Sequence, residues 1–339
     1  MYNYGKIKKL FGLLIMLVFG LFLFGCEETK KEKEFTDVVN EVQTYSLSGV
    51  MESFYLEGRK QSEFNVLYKS DDEIKVVLKS IDSDDSQIIL KNKNGVYVLI
   101  PTINKNFKIK SDWPVNASYP YLLQSLSKDI VNEKNLITSE NETTKTLQTK
   151  TYLYKDAAAN TQKITVNKET GLPSEVQIFD KQGNLYVRVV FSEIKLNCEI
   201  DSKEFIVDDT MTTMRSEYQE SVVFEDREIK YPLYCPEGCT LKNESKIEDL
   251  ETFEATAIMT YEGDYSFTIV QQFVNDKETI SFAHETGEII MVLGVPCILK
   301  SNGIQTVYQG VEYTVASSDL SVNEMIKIVS SYIEDQLEK

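Results

Sequence analysis

The stretch Glu63-Phe64-Asn65-Val66-Leu67-Tyr68-Lys69 decides the fold class. Phe64, Val66 and Tyr68 alternate with Glu63, Asn65 and Lys69, so one face of an extended chain is apolar and the other wet. Working outward, Ile74 to Ile81, Gln87 to Lys91 and Val96 to Pro101 read as further short strands. Between them lie Ser70-Asp71-Asp72, Asp82 to Ser86 and Asn92 to Gly95, clusters whose short polar side chains and glycine favour turns. Leu147 to Tyr154, Gln162 to Asn167, Glu175 to Asp180 and Leu185 to Ile194 continue the series, with Val187, Val189 and Phe191 facing inward. Two segments have helical spacing instead: Glu34 to Val42, with Phe35, Val38, Val39 and Val42 on one side, and Tyr119 to Val131, with Leu122, Leu123, Leu126 and Ile130. A long antiparallel sheet with one polar face buries itself only by curling around such helices. The expectation is an incomplete barrel with helices against its concave side.

The chain has 339 residues, enough for one large domain or two ordinary ones. Hydrophobic residues make up 42% and charged residues 26%, a globular balance. Nineteen tyrosines and sixteen phenylalanines favour strands, where aromatic rings fit a half-buried pleated surface. The net charge of -17 argues against nucleic acid, which needs clustered Lys and Arg. His284 is the single histidine, so a His-rich zinc site is excluded.

Charge divides the chain. Ser216 to Lys339 holds 23 acids and 8 bases, whereas Glu27 to Arg215 holds 30 acids and 25 bases. This contrast predicts domains at 35–215 and 216–339. The second is a smaller α+β unit, with strands at Phe253 to Tyr261, Tyr265 to Phe273, Ile289 to Leu293, Cys297 to Leu299, Thr306 to Tyr308 and Val311 to Val315. It ends in a helix opened by the capping box Ser321 and Glu324, with Met325, Ile328, Val329 and Ile333 as its buried stripe. An acidic distal domain is repelled by anionic head groups, so the nearly neutral first domain is expected to face the membrane.

Lys6, Lys8 and Lys9 precede an apolar run from Leu10 to Phe24 that ends at Gly25-Cys26. A basic start, a short apolar segment and a small residue before the cut describe a secretion signal over residues 1–25, too short for an ordinary membrane span. Leu23-Phe24-Gly25-Cys26 resembles the lipobox of bacterial lipoproteins. That resemblance implies a diacylglycerol on the Cys26 thiol and acylation, such as palmitate, at the mature amino terminus. Residues 26–34 then form the lipidated cysteine and a charged, solvated tether. The alternative is an uncleaved anchor helix. Either places the folded part outside the cytoplasm, at a membrane.

Asn94-Gly95-Val96-Tyr97-Val98-Leu99-Ile100-Pro101, Asn104-Lys105-Asn106-Phe107-Lys108, Ser111-Asp112-Trp113-Pro114-Val115-Asn116 and Tyr119-Pro120-Tyr121-Leu122-Leu123-Gln124-Ser125-Leu126 together resemble the LolA-like lipoproteins of spore-forming Firmicutes, of the sporulation-associated YdcC type. Tyr231-Pro232-Leu233-Tyr234-Cys235-Pro236-Glu237-Gly238 and Gly310-Val311-Glu312-Tyr313-Thr314 to Lys327-Ile328 resemble the second domain of that family. The germination lipoprotein GerS is similar over the half-barrel alone, and regulators of the RseB type share the two-domain plan. The resemblance implies an α+β protein: an unclosed antiparallel β half-barrel with a helical lid, whose concavity holds acyl chains in carrier relatives.

No Gly-x-Ser-x-Gly elbow, His-Glu-x-x-His pair or phosphate-cradling loop is present, so no enzyme, cofactor or metal is expected. His284, in Phe282-Ala283-His284-Glu285-Thr286-Gly287, reads as a turn between strands with no nucleophile partner. Cys235 and Cys239 flank a Pro-Glu-Gly turn and are near enough for a disulfide, or are two apolar fillers, with Cys198 and Cys297 as the other thiols. Asp71-Asp72, the Asp82 to Asp85 cluster and Asp208-Asp209 read as solvated turns, without EF-hand spacing for calcium. Trp113, Tyr121, Leu122 and Leu126 are the candidate lid over an apolar groove, or ordinary core; both use these residue types. The functional expectation is a lipid-anchored extracytoplasmic binding protein for a lipid, a lipoprotein acyl chain or an envelope protein partner, in sporulation or germination. The alternatives are an RseB-like sensor of a membrane protein's outer domain and a ligand-free assembly scaffold.

Overall fold

The computed structural model describes residues 34–55, 58–83, 85–216, 228–248, 254–273 and 281–335. The expected signal segment, Cys26 and the tether to residue 33 lie outside the described residues, as do residues 217–227 beside the expected domain boundary.

The chain opens with helix α1 (Phe35–Glu41) and continues through strands β1 (Tyr45–Tyr55), β2 (Gly58–Ser70), β3 (Glu73–Ser80), β4 (Ser86–Asn92), β5 (Gly95–Ile100) and β6 (Lys105–Lys110). Helix α2 (Leu123–Asn132) precedes β7 (Ile137–Glu140), β8 (Thr144–Thr151), β9 (Asn160–Asn167), β10 (Pro173–Phe179) and β11 (Leu185–Leu196). Helix α3 (Val207–Ser216) follows, then β12 (Thr240–Glu248), β13 (Ala255–Glu262), β14 (Phe267–Phe273), β15 (Ser281–Thr286), β16 (Glu288–Val292), β17 (Val295–Lys300), β18 (Gly303–Tyr308), β19 (Val311–Ala316) and helix α4 (Val322–Asp335).

The protein is α+β. Among the described residues, twelve strands form one unclosed sheet in the order β15-β6-β5-β4-β3-β2-β1-β11-β10-β9-β8-β7, and seven form a second in the order β12-β13-β14-β19-β18-β17-β16. The alternation that defined β2 and β3 is realised in three dimensions: Phe64, Val66, Ile74, Val76 and Leu78 are buried, while Glu63 and Asn65 face water. The apolar face curls around α1 and α2, whose Phe35, Val39, Leu123, Leu126 and Ile130 join it in one core. Curling needs close approach at Gly49, where β1 and β11 shift register. A Cβ there would stand 2.1 Å from the Val190 carbonyl oxygen and 2.6 Å from the Phe64 ring.

The registers define two ends of the first sheet. At the proximal end lie Tyr45, Tyr68, Ile74, Lys91, Val96 and Ile109; at the distal end lie Ser53, Lys60, Ser80, Ser86, Ile100 and Lys105. Glu34, just before α1, pairs with Lys145 near the start of β8 at 2.7 Å, which puts it at the proximal end. The second sheet closes the distal end. Every residue of β18 is buried, because α4 covers one face and the first sheet meets the other: Ile304 and Tyr308 belong to the α4 core, and Val307 to the concave core. The α4 stripe of Met325, Ile328, Val329 and Ile333 is buried as its spacing predicts, and Ser321 Oγ accepts the Glu324 amide at 3.2 Å.

Three features differ from the sequence reading. The second helix begins at Leu123, not Tyr119, since Leu122 is extended and its amide closes a turn onto the Tyr119 carbonyl. A third helix, α3, lies on the convex face, where Met211 packs with Ile88, Leu90, Tyr97 and Leu99. The His284 segment is not a turn. It is β15, which pairs in parallel with β6 from Ser281↔Lys105 to Thr286↔Lys110 and so adds a C-terminal strand to the first sheet.

Candidate functional site

The concave interior is the candidate site. Between β6 and α2 the chain crosses it, carrying Trp113, Tyr121 and Leu122, and α2 adds Leu126; none of the four is more than 2% exposed. Their rings join a run of aromatics: Trp113 meets Tyr119 edge-on at 5.7 Å, Tyr119 meets Tyr121 at 6.1 Å, and Tyr121 meets Phe64 at 6.1 Å. The structure thus brings the four expected lid residues together, packed into the concavity as part of its core.

Polar bonds hold this segment in place. Ser118 Oγ donates to Asp129 Oδ1 at 3.0 Å, and Gln162 Nε2 donates to Asp129 Oδ2 at 3.2 Å and to Thr149 Oγ1 at 3.1 Å. The Tyr119 amide donates to Ser125 Oγ at 2.7 Å, and the Tyr45 hydroxyl donates to Gln124 Oε1 at 2.6 Å. Burial pushes the Asp129 carboxyl up to about 6, against the bonds from Ser118 and Gln162. Tyr119 also ties the segment to the second sheet, its hydroxyl donating to the Ile289 carbonyl at 2.7 Å. Polar atoms buried in the interior without partners include the Trp113 indole N–H and the Tyr121 hydroxyl on the crossing segment, and Thr151 Oγ1 and Gln162 Oε1 on the sheet. A cavity of about 30 Å³ remains beside Met51, Tyr119, Ile178, Tyr186 and Met291. That is one water's share of liquid, against roughly 300 Å³ or more for a small-molecule pocket.

Sequence reasoning missed the seam at the distal end. Lys60 is 3% exposed and Asp85 9%, and the Lys60 ammonium sits 3.2 Å from Ser62 Oγ and 5.8 Å from the centre of the Tyr308 ring. Burial pushes Lys60 down and Asp85 up, each partly opposed by the other's charge. Gln87 Nε2 donates to the Val307 carbonyl at 2.5 Å, and Lys105 pairs with buried Glu312. Ser80 Oγ, Ser86 Oγ, Gln87 Oε1, Asp85 Oδ1 and the Tyr308 hydroxyl are buried without partners. A signal existed, because Lys60 and Ser62 continue the inward alternation of Phe64 and Val66.

Cys235 and Cys239 are thiols in the structure. Cys235 Sγ lies 3.5 Å from the Cys239 carbonyl, and Cys239 Sγ lies 3.4 Å from that of Tyr265. Burial raises the Cys235 thiol, as it does Cys297, to about 12 in the latter case. Tyr68 donates to Asp71 at 2.8 Å and Asp72 faces Lys91 at 3.8 Å, so this acid turn is engaged within the protein.

An unclosed sheet with a helix-lined concavity, capped at one end by a second sheet, defines the class. Residues 6–205 match the family model described as sporulation protein YdcC-like. The chain is 31% identical over 332 residues to the sporulation protein YdcC of Bacillus subtilis (strain 168), covering 96% of this chain and 97% of that protein. It belongs to the YdcC-like family. Among solved structures, it is similar to the Pseudomonas aeruginosa MucA/MucB complex, at 12% identity and a TM-score of 0.32 over 88% of this chain and 97% of that one. A LolA superfamily protein from Nitrosomonas europaea is similar at 10% identity and a TM-score of 0.30, over 51% of this chain and 96% of that one.

Proposed function

We propose that the chain is a membrane-tethered, extracytoplasmic binding protein acting in sporulation, without enzymatic activity. Acyl chains on Cys26 anchor it, and residues 35–215 and 216–339 act as its two units. The apolar concavity is its binding site, held shut by the segment carrying Trp113, Tyr121, Leu122 and Leu126 and opened for an acyl chain. The observation that carries this reading is the Trp113 N–H and the Tyr121 hydroxyl, both unpartnered on the segment that crosses the core. Each costs roughly 1–3 kcal/mol, so the closed packing carries a penalty that a carboxyl or ester group entering with an acyl chain would relieve.

A ligand-free scaffold is the second reading, favoured by how fully the concavity is filled. Trp113 is the sole tryptophan and separates the two. Titration with a brominated fatty acid is expected to quench its fluorescence, because bromine acts only at close range. Unchanged emission at saturating lipid would sink the groove and leave the scaffold. Intact-mass measurement of the membrane-extracted chain tests the anchor: a diacylglycerol and acyl mass on the fragment beginning at Cys26 is expected, and an unmodified cysteine refutes it.

A further inference from the structure

A second site lies at the proximal end of the first sheet, away from the concavity. A cleft of about 670 Å³ opens where the β4–β5 turn, the end of β6 and the end of β15 meet. Lys91, Lys93, Lys108 and Lys110 line it, in a chain whose net charge is -17. Its two acids, Asp72 and Glu285, are both engaged, with Lys91 at 3.8 Å and with Lys300 at 2.7 Å. Lys93 and Lys110 have no ion-pair partner among the described residues, so the cleft keeps a local positive surplus.

The fold builds this surplus deliberately. Lys108 is held by its own sheet, with its ammonium 5.6 Å from the centre of the Tyr97 ring. Gly95, at φ 141°, leaves room for the Lys108 stem, since a Cβ there would lie 3.2 Å from Lys108 Cε. His284 joins from β15 opposite Lys108, so both halves of the chain contribute. The cleft is at the same end of the sheet as Glu34, and so at the end where the tether arrives. The second sheet, in the half that holds most of the negative charge, caps the opposite end. The basic cleft therefore lies at the end of the sheet where Glu34 begins the described chain, opposite the end that the second sheet caps.

We propose that this cleft binds the phosphate of an anionic phospholipid head group on the membrane to which the chain is tethered, an assignment that rests on the lipid-anchor reading above. Four lysines line a space large enough for a phosphodiester, and anionic membrane surfaces attract such clusters at short range. The lipid at Cys26 would hold the chain at the bilayer, and the cleft would set which face it presents.

The test uses the unlipidated chain from residue 27, which keeps every described residue. Co-sedimentation with vesicles of phosphatidylglycerol and phosphatidylcholine is compared with pure phosphatidylcholine, at low and high salt. Binding is expected only with phosphatidylglycerol and is expected to vanish at high salt. Lys93→Ala with Lys110→Ala should lower it about twenty-fivefold, at roughly fivefold per lysine. Lys155→Ala with Lys181→Ala, away from the cleft, should leave it unchanged, and circular dichroism checks that all variants fold. Equal binding to both vesicles, or equal loss in the control pair, would overturn the proposal. Displacement by inorganic phosphate at constant ionic strength would reassign the site to a free anion. Should Cys26 prove unmodified while the lysine dependence holds, the cleft stands and only the anchor falls.

Discussion

The concave interior and the distal seam are both buried, yet they are built from opposite materials. The interior packs aromatic and aliphatic side chains against a segment whose polar groups are largely bonded, through Ser118, Asp129, Gln162 and Thr149. The seam joins two sheets through Lys60, Asp85, Gln87 and the Lys105–Glu312 pair, and leaves Ser80, Asp85, Ser86, Gln87, Gln305 and Tyr308 each with an unpartnered polar atom. Apolar packing is nondirectional and gains with area, whereas a buried polar contact gains little unless every partner is supplied. The interior therefore carries the stability of the first sheet. The seam's polar contacts fix how the second sheet meets the first, while β15 pairing with β6 and the burial of Ile289, Ile298 and Val307 in the concave core bind the two together.

The comparison is most easily broken at Leu126. Leu126→Ala, at 0% exposure, should cost about 2–5 kcal/mol in urea unfolding and shift Trp113 emission. A loss below about 1 kcal/mol would mean that the lid segment is not part of the core.

At the seam, Lys105→Met leaves Glu312 buried with Gln305 as its remaining partner, and should cost about 3 kcal/mol. Adding Glu312→Gln should recover most of that, because the cost comes from the stranded charge. A double variant as unstable as the single one would make the ion pair a true source of stability.

Asp129 sharpens the contrast through pH. Its folded value, about 6, lies above the ordinary carboxylate value, so its neutral form favours the folded state. Stability from this group is full below about pH 4 and is lost as pH rises to about 6, by no more than about 3 kcal/mol. Asp129→Asn should flatten that slope in chemical unfolding measured across the range. A slope that survives the substitution must come from another group.

The smallest effect is expected at Lys60. Its ammonium is buried with a hydroxyl as its near neighbour and the Asp85 charge as its largest offset, so Lys60→Met together with Asp85→Asn should stabilise the protein by about 1 kcal/mol. Destabilisation on thermal melting would show that the seam depends on these charges.

Period-two alternation in β2 and β3, turn clusters such as Ser70-Asp71-Asp72, and the Ser321 cap of α4 were legible because each depends on residues within one turn or strand. The unclosed curl followed from one wet face and two helices. Trp113, Tyr121, Leu122 and Leu126 were legible as apolar residues of one interior, but whether they line a groove or fill it was not, since the residue types are the same. Helix α3 was missed because its sequence, Val207 to Ser216, is polar on most sides and is buried only at Thr210 and Met211.

By itself, then, the sequence determined which segments extend, where they turn and which face of each is apolar. Only the tertiary structure decided that β15 pairs with a strand about 176 residues earlier, that Lys60 and Asp85 are covered by Tyr308 and Gln309, and that four lysines from separate segments line one cleft. The physical reason is that hydrophobic periodicity is a property of neighbours along the chain. Burial of a particular charge depends on which distant surface the curled sheet brings to meet it.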